Sequence, residues 1–143
     1  MTDDTRRRLL HWASGVMVVL GAGHLMALVA ITGWSELTTW FDEGLWAAVP
    51  FLERGTPPTV ASLHTAVAFW SGLGSFAVPL VLLGLLIRHA AGHGTAVPAV
   101  IGWALIGWFL LAGVLLGPSP FFAGIVPGVL VVLATRKPDR EPG

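Results

Sequence analysis

The chain has 143 residues, enough for one domain, of which 55% are hydrophobic and only 11% charged, against about 25% charged in ordinary soluble domains. Its mean hydropathy is +0.77, more apolar surface than so short a soluble fold can hide, so lipid is the solvent that fits. Eight basic residues balance eight acidic ones and there is no cysteine, which argues against a basic nucleic-acid binder and excludes a disulfide framework, a thiolate metal site and a thiol nucleophile.

Residues 1–8 hold Arg6, Arg7 and Arg8 and form a basic N-terminal segment. Four apolar runs follow, at about 9–32, 61–87, 96–116 and 121–135. Each predicts a transmembrane helix, because lipid offers no partner to an unpaired backbone group. The first run is longer than the apolar stretch of a cleaved signal peptide and three more runs come after it, so insertion is the economical reading. Gly117-Pro118-Ser119-Pro120 is a tight turn, which makes the last two runs an antiparallel hairpin. Residues 136–143 are polar and proline-bearing and read as a disordered tail. The expected fold is all-α, an integral membrane four-helix bundle over residues 9–135 with a short amphipathic outer-leaflet segment in the 33–60 connection.

Orientation follows from the basic residues. Arg6, Arg7, Arg8, Arg88, Arg136, Lys137 and Arg140 all fall on one side of a four-span topology, and only Arg54 falls on the other. Both termini and the 88–95 connection are therefore expected in the cytoplasm of a bacterial cell, with the chain multi-pass in the inner membrane. Arginine outnumbers lysine seven to one, which with the glycine, alanine and valine content suggests a bacterial gene of high GC content. Within the outer 33–60 connection, Leu37, Trp40, Phe41, Leu45, Trp46 and Val49 recur at loosely helical spacing among acids. That pattern predicts a segment lying on the outer leaflet, either as an aromatic anchor or as a lid over a cavity.

Asn, Gln and Tyr are absent, so polar chemistry inside the spans must come from His, Ser, Thr, Trp or backbone. His24 lies inside the first run, roughly 12 Å by helical rise from its outer end. His64 lies near the outer start of the second. Two neutral imidazoles can ligate iron or another metal, or relay a proton. The plainer expectation is that His24 donates to a carbonyl or hydroxyl of a neighbouring helix and joins the two. Glu36 is the carboxylate nearest His24 in sequence, and with Trp34, Trp70 and His64 it completes the candidate ligand-binding set. His11, His89 and His93 read as interfacial, and the glycines around His93 argue against one helix face shared with His89. No catalytic constellation, resident metal or cofactor is predicted.

The 18 glycines include Gly113-Val-Leu-Leu-Gly117 and Gly124-Ile-Val-Pro-Gly128. Such small faces let helices approach closely, here within the hairpin or across a homo-oligomer or membrane-partner interface. Pro79 and Pro127 fall inside runs and are expected to kink them.

Gly21-Ala22-Gly23-His24, Ala68-Phe69-Trp70 with Gly72, Leu83-Gly84-Leu85, Pro98, Gly102-Trp103, Gly113, Pro118-Ser119 and Pro127-Gly128 occur in an order that resembles the domain of unknown function 6463 family, bacterial membrane proteins of four spans. The resemblance covers about residues 14–135 and implies a four-span fold without a known activity. The chain departs from the family pattern at Ser119-Pro120-Phe121-Phe122, where Ser-Gly-aromatic is expected, and at His64. The function expected is a non-catalytic helical bundle in the bilayer that binds a lipid-like ligand or a protein partner. The alternatives are a redox or proton-handling protein using intramembrane histidines and an oligomeric transporter of small solutes.

Overall fold

The computed structural model describes residues 2–34, 59–72, 74–116 and 120–136. Within them every regular element is helical: α1 (Asp3–Thr32), α2 (Val60–Ser71), α3 (Ala77–Gly92), α4 (Ala99–Leu116), a 3-10 turn (Pro120–Gly124) and α5 (Ile125–Thr135). Among the described residues, α1 alone is long and apolar enough to cross a membrane by itself, while α3, α4 and α5 are apolar but shorter. The predicted outer-leaflet segment with Glu36, the turn at 117–119 and the tail at 137–143 lie outside the described residues. The chain divides into two compact units, residues 1–20 with 80–143 and residues 21–79.

In the first unit, α1 buries Leu10, Ala13, Ser14 and Met17, a stripe at the i, i+3, i+4, i+7 spacing of one helix face. Opposite it α3 buries Leu80, Gly84, Ile87 and Ala91. The two helices meet closely at Gly84, where an added Cβ would stand 3.0 Å from both the Met17 Cβ and the Ser14 carbonyl. Ser14 is fully buried, and its hydroxyl donates to the His11 carbonyl at 2.9 Å, so the polar group costs little. The helix begins at Asp3, ahead of the apolar run, with Arg8 paired to Asp4 one turn back at 3.0 Å.

α3 ends in a closed turn. Gly94 has φ +68°, its N–H donates to the Ala91 carbonyl at 3.4 Å, and the Thr95 N–H donates to the Ala90 carbonyl at 2.9 Å. This pair of bonds around a left-handed glycine satisfies two carbonyls that the helix itself leaves open. The glycines near His93 do not separate it from His89, contrary to expectation. The His89 and His93 rings lie 4.1 Å apart, and His93 Nδ1–H donates to the His89 carbonyl at 2.9 Å. Gly92 is tolerated because helical bonding runs to it before the left-handed turn begins.

The expected hairpin is present in α4 and α5. Partners descend along α5 as they ascend along α4: Gly102 meets Val132 and Gly128, Ile106 meets Gly128, Phe109 fits against Gly124, and Gly113 receives the Phe122 ring. Gly102 and Gly128 face each other directly, and a Cβ on either would stand 2.7 or 2.8 Å from the other's carbonyl oxygen. Gly113, Gly124 and Gly128 of the two glycine patterns are thus filled from within the chain. Gly15, Gly23 and Gly107 have open space where a Cβ would go.

The prolines do not kink helix interiors as expected. Pro79 is the third residue of α3 and Pro127 the third of α5, within the first turn, where a backbone N–H has no intrahelical acceptor to lose. Pro98 immediately precedes α4 and accepts from the Ile101 N–H at 3.2 Å. Each proline therefore marks a start rather than a bend.

Outward faces stay apolar. Val19, Met26, Ile31, Leu82, Val100, Trp103, Leu115 and Val126 are among many large hydrophobic side chains left exposed, far more than singly scattered surface residues. The glycine contact between α4 and α5 makes a direct prediction. Gly128→Val should destabilise by about 1–3 kcal/mol through overpacking, whereas Gly107→Ala should be neutral or stabilising by up to about 1 kcal/mol. Thermal unfolding in detergent measures both, and equal midpoints for the two variants would remove the contact from the fold's support.

Candidate functional site

The second unit contains the C-terminal half of α1, α2 and the break that follows. The run 61–87, read as one span, is two helices here, and the interruption has local causes. Ser71-Gly72 and Gly74-Ser75 bracket the break, a cluster of the residues that favour turns. Gly72 donates its N–H to both the Ala68 and Phe69 carbonyls at 3.1 Å, and the Gly74 N–H adds a second bond to Phe69 at 2.9 Å. The Ser75 hydroxyl donates to the Gly72 carbonyl at 2.6 Å and accepts from the Ala77 N–H at 3.2 Å. These bonds close α2 and open α3.

One carbonyl at this helix end is met from α1. His24 Nε2–H donates to the Ser71 carbonyl at 2.8 Å. The last turn of a helix has no internal donors for its carbonyls, and an imidazole N–H from a facing helix is a sufficient one. The Ser71 hydroxyl itself bonds the Val67 carbonyl, so it does not compete for the ring. Gly72 makes the approach possible, because a Cβ there would collide with the Leu28 side chain one turn beyond His24.

The bond fixes the ring's chemistry. A carbonyl only accepts, so Nε2 carries the proton, and in the neutral imidazole Nδ1 is then an acceptor. His11 and His93 use Nδ1 differently, donating it to the carbonyl four residues back. His24 is exposed, and its Nδ1 has no partner among the described residues. In that neutral form the ring presents an acceptor on an otherwise apolar stretch of helix.

The other predicted residues distribute around this bond. Trp70 precedes Ser71, is 52% exposed, and meets Phe69 edge to face with ring centroids 5.5 Å apart. Gly74 lies under both rings, where a Cβ would stand 2.9 Å from each. His64 is exposed on α2, and its seven-residue separation from Ser71 corresponds to roughly 10 Å of helix. The atom that anchors His24 is therefore two turns from His64. Trp34 is exposed just past the end of α1, and Glu36 lies outside the described residues. No group of three or more His, Cys, Asp or Glu side chains placed to hold a metal occurs among the described residues. Ser71 is the partner that sequence reasoning missed. Its signal was the Ser-Gly-Leu-Gly-Ser stretch at 71–75, which marks a helix end and hence free carbonyls.

Removing the donor tests the bond. His24→Leu should cost about 1 kcal/mol, and His24→Gln, whose amide also donates, should recover most of it. Unfolding of the variants in detergent reads the difference, and a leucine variant as stable as the parent would refute the bond's role.

A family model described as a family of unknown function, DUF6463, matches residues 8–138. Neither the curated proteins nor the solved structures hold a significant match to the chain.

Proposed function

The chain belongs to that family of unknown function, DUF6463, and from this premise we propose that it is a non-catalytic, multi-pass helical module of the bacterial inner membrane that binds a lipid-like molecule beside His24. The observation that carries the reading is His24 Nδ1, an acceptor in the neutral ring that has no partner among the described residues, on an exposed apolar face. An acceptor in hydrocarbon is costly without a donor. A molecule with a hydroxyl or amide donor and an apolar body supplies both what Nδ1 lacks and what Ile31, two turns on along the same helix face, and Trp70, both exposed, prefer. Trp70, beside the anchoring Ser71, is the aromatic residue nearest that bond in sequence.

The membrane setting is supported by the exposed apolar faces and by the length and composition of α1. A common side for the N-terminus and the 88–95 connection is supported by a concavity in the first unit that Asp3, Arg6, Arg7 and Leu10 share with Ala91, Gly94 and Thr95, and the cytoplasmic choice rests on the placement of the basic residues. In the two-histidine alternative, His24 would have to offer Nδ1 or give up its bond to Ser71.

The absence of native cysteine makes the topology directly measurable. Single cysteines at Thr2 and His93 should be shielded from an impermeant maleimide applied to intact cells, and one at Gly55 should react. Reaction at position 93 from outside would overturn the orientation. For the ligand, mass spectrometry of organic extracts from the purified chain should find a hydroxyl- or amide-bearing amphiphile that is lost in His24→Leu. Equal retention by both proteins would remove His24 from the site. A Soret absorption band abolished by His24→Ala would replace the proposal with a haem protein.

A further inference from the structure

We infer that the concavity at the start of α1 binds the phosphate of an anionic amphiphile. Asp3, Arg6, Arg7 and Leu10 line one side, and their spacing places them on one helix face. Ala91, Gly94 and Thr95 line the other. The concavity is half open and holds about 260 Å³, ample for a phosphate group.

Charge decides what it takes. Among the described residues, the ion pair at this end of α1 is Arg8 with Asp4. Arg6 and Arg7 have no carboxylate of a described residue within ion-pair distance, although Asp3 is in the same lining. Two guanidiniums against one carboxylate leave a net positive lining, and guanidinium forks match phosphate oxygens in geometry as well as charge. The opposite wall is held in place by the left-handed turn at Gly94, whose bonds to Ala90 and Ala91 close α3. Thr95, the next residue, adds a hydroxyl to the lining. Leu10 and Ala91 supply the apolar part, suited to the first carbons below a headgroup.

A phosphate diester in a lipid headgroup and a soluble phosphate offer the same oxygens. The headgroup is the source assigned here, and that assignment rests on the membrane reading above. The phosphate site itself does not depend on it.

The test uses the full chain purified in a neutral detergent and native mass spectrometry with phosphatidylglycerol or phosphatidylcholine added. Phosphatidylglycerol should be retained over phosphatidylcholine, and retention should fall at least tenfold in the double variant Arg6→Gln/Arg7→Gln. Asp3→Asn should strengthen retention, because it removes a like charge, and Arg8→Gln should leave it unchanged. Undiminished retention in the double variant, or an equal loss in Arg8→Gln, would overturn the site in favour of diffuse attraction to a basic surface. Competition distinguishes the sources. Displacement of the lipid by millimolar inorganic phosphate would overturn the headgroup assignment, and its failure to displace would support it. Failure of the membrane reading registers separately, as a chain recovered from cells without detergent. Inorganic phosphate binding followed by phosphorus NMR then tests the site alone, with line broadening expected in the parent and lost in the double variant. No broadening in the parent would end the proposal.

Discussion

A helix ending in an apolar chain leaves carbonyls that must find donors from somewhere else. In water the solvent supplies them, and in hydrocarbon it does not. This sequence makes the problem sharper, because it has no Asn, Gln or Tyr side chains to help. Three described helix ends show the economy that results. α1 closes on Gly33, at φ +84°, whose N–H donates to the Val29 carbonyl at 2.8 Å. α3 closes on Gly94. α2 closes partly on Gly72 and Gly74 and partly on an imidazole from α1. In the first two cases a left-handed glycine closes the end, as its backbone freedom permits, and the Thr32 and His93 side chains add bonds only to carbonyls of their own helix. In the third a side chain is recruited, which joins two helices and leaves one ring nitrogen over. The candidate site of the second unit is therefore a by-product of ending a helix inside an apolar segment.

Glycine contributes to packing in the same spirit. Without a polar network, close backbone approach is the main source of specific attraction between apolar helices in lipid. Gly84 brings α3 onto Ser14 and Met17, and Gly102 with Gly128 brings α4 onto α5. Phe109 and Phe122 then fill the space at Gly124 and Gly113. These contacts use the small faces internally. The open glycines Gly15, Gly23 and Gly107 and the exposed aliphatic rows are not used in this way.

Much of this was legible in the sequence where one local rule acts alone. The α4–α5 hairpin follows from two apolar runs joined by Gly117-Pro118-Ser119-Pro120, and the role of His24 as a donor to a neighbouring helix follows from the cost of an unbonded imidazole N–H within an apolar run. The misreadings share a cause. Periodicity sees apolar residues continue through 61–87 and so misses the break. The break depends on Gly72 accepting a close neighbour and on Ser75 bonding backward and forward at once, both contextual events. The prolines were misread for the same reason, since a proline in the middle of an apolar run lies in a first turn once the helix is known to start at Ala77 or Ile125. His89 and His93 were separated on glycine propensity, which is too weak to outweigh a helix already propagated to Gly92. Nor does any local pattern announce that Arg6 and Arg7 share a concavity with Thr95, since these residues are more than eighty positions apart.

The two candidate sites differ in the chemistry they leave unsatisfied, and this sets what each can recognise. Around His24 the surplus is an acceptor, because the only donor of the neutral ring is spent on Ser71. In its neutral form the ring has no second donor to offer an anion, so that form favours neutral donors. Around Arg6 and Arg7 the surplus is donors and positive charge, because Asp4 is spent on Arg8 and Asp3 is outnumbered. A neutral donor gains little there, whereas an oxyanion gains charge-assisted bonds. Neither preference comes from a dedicated binding motif. Each is the remainder after the structure has met its own obligations: one carbonyl capped in an apolar setting, and one ion pair formed out of an unequal set of charges.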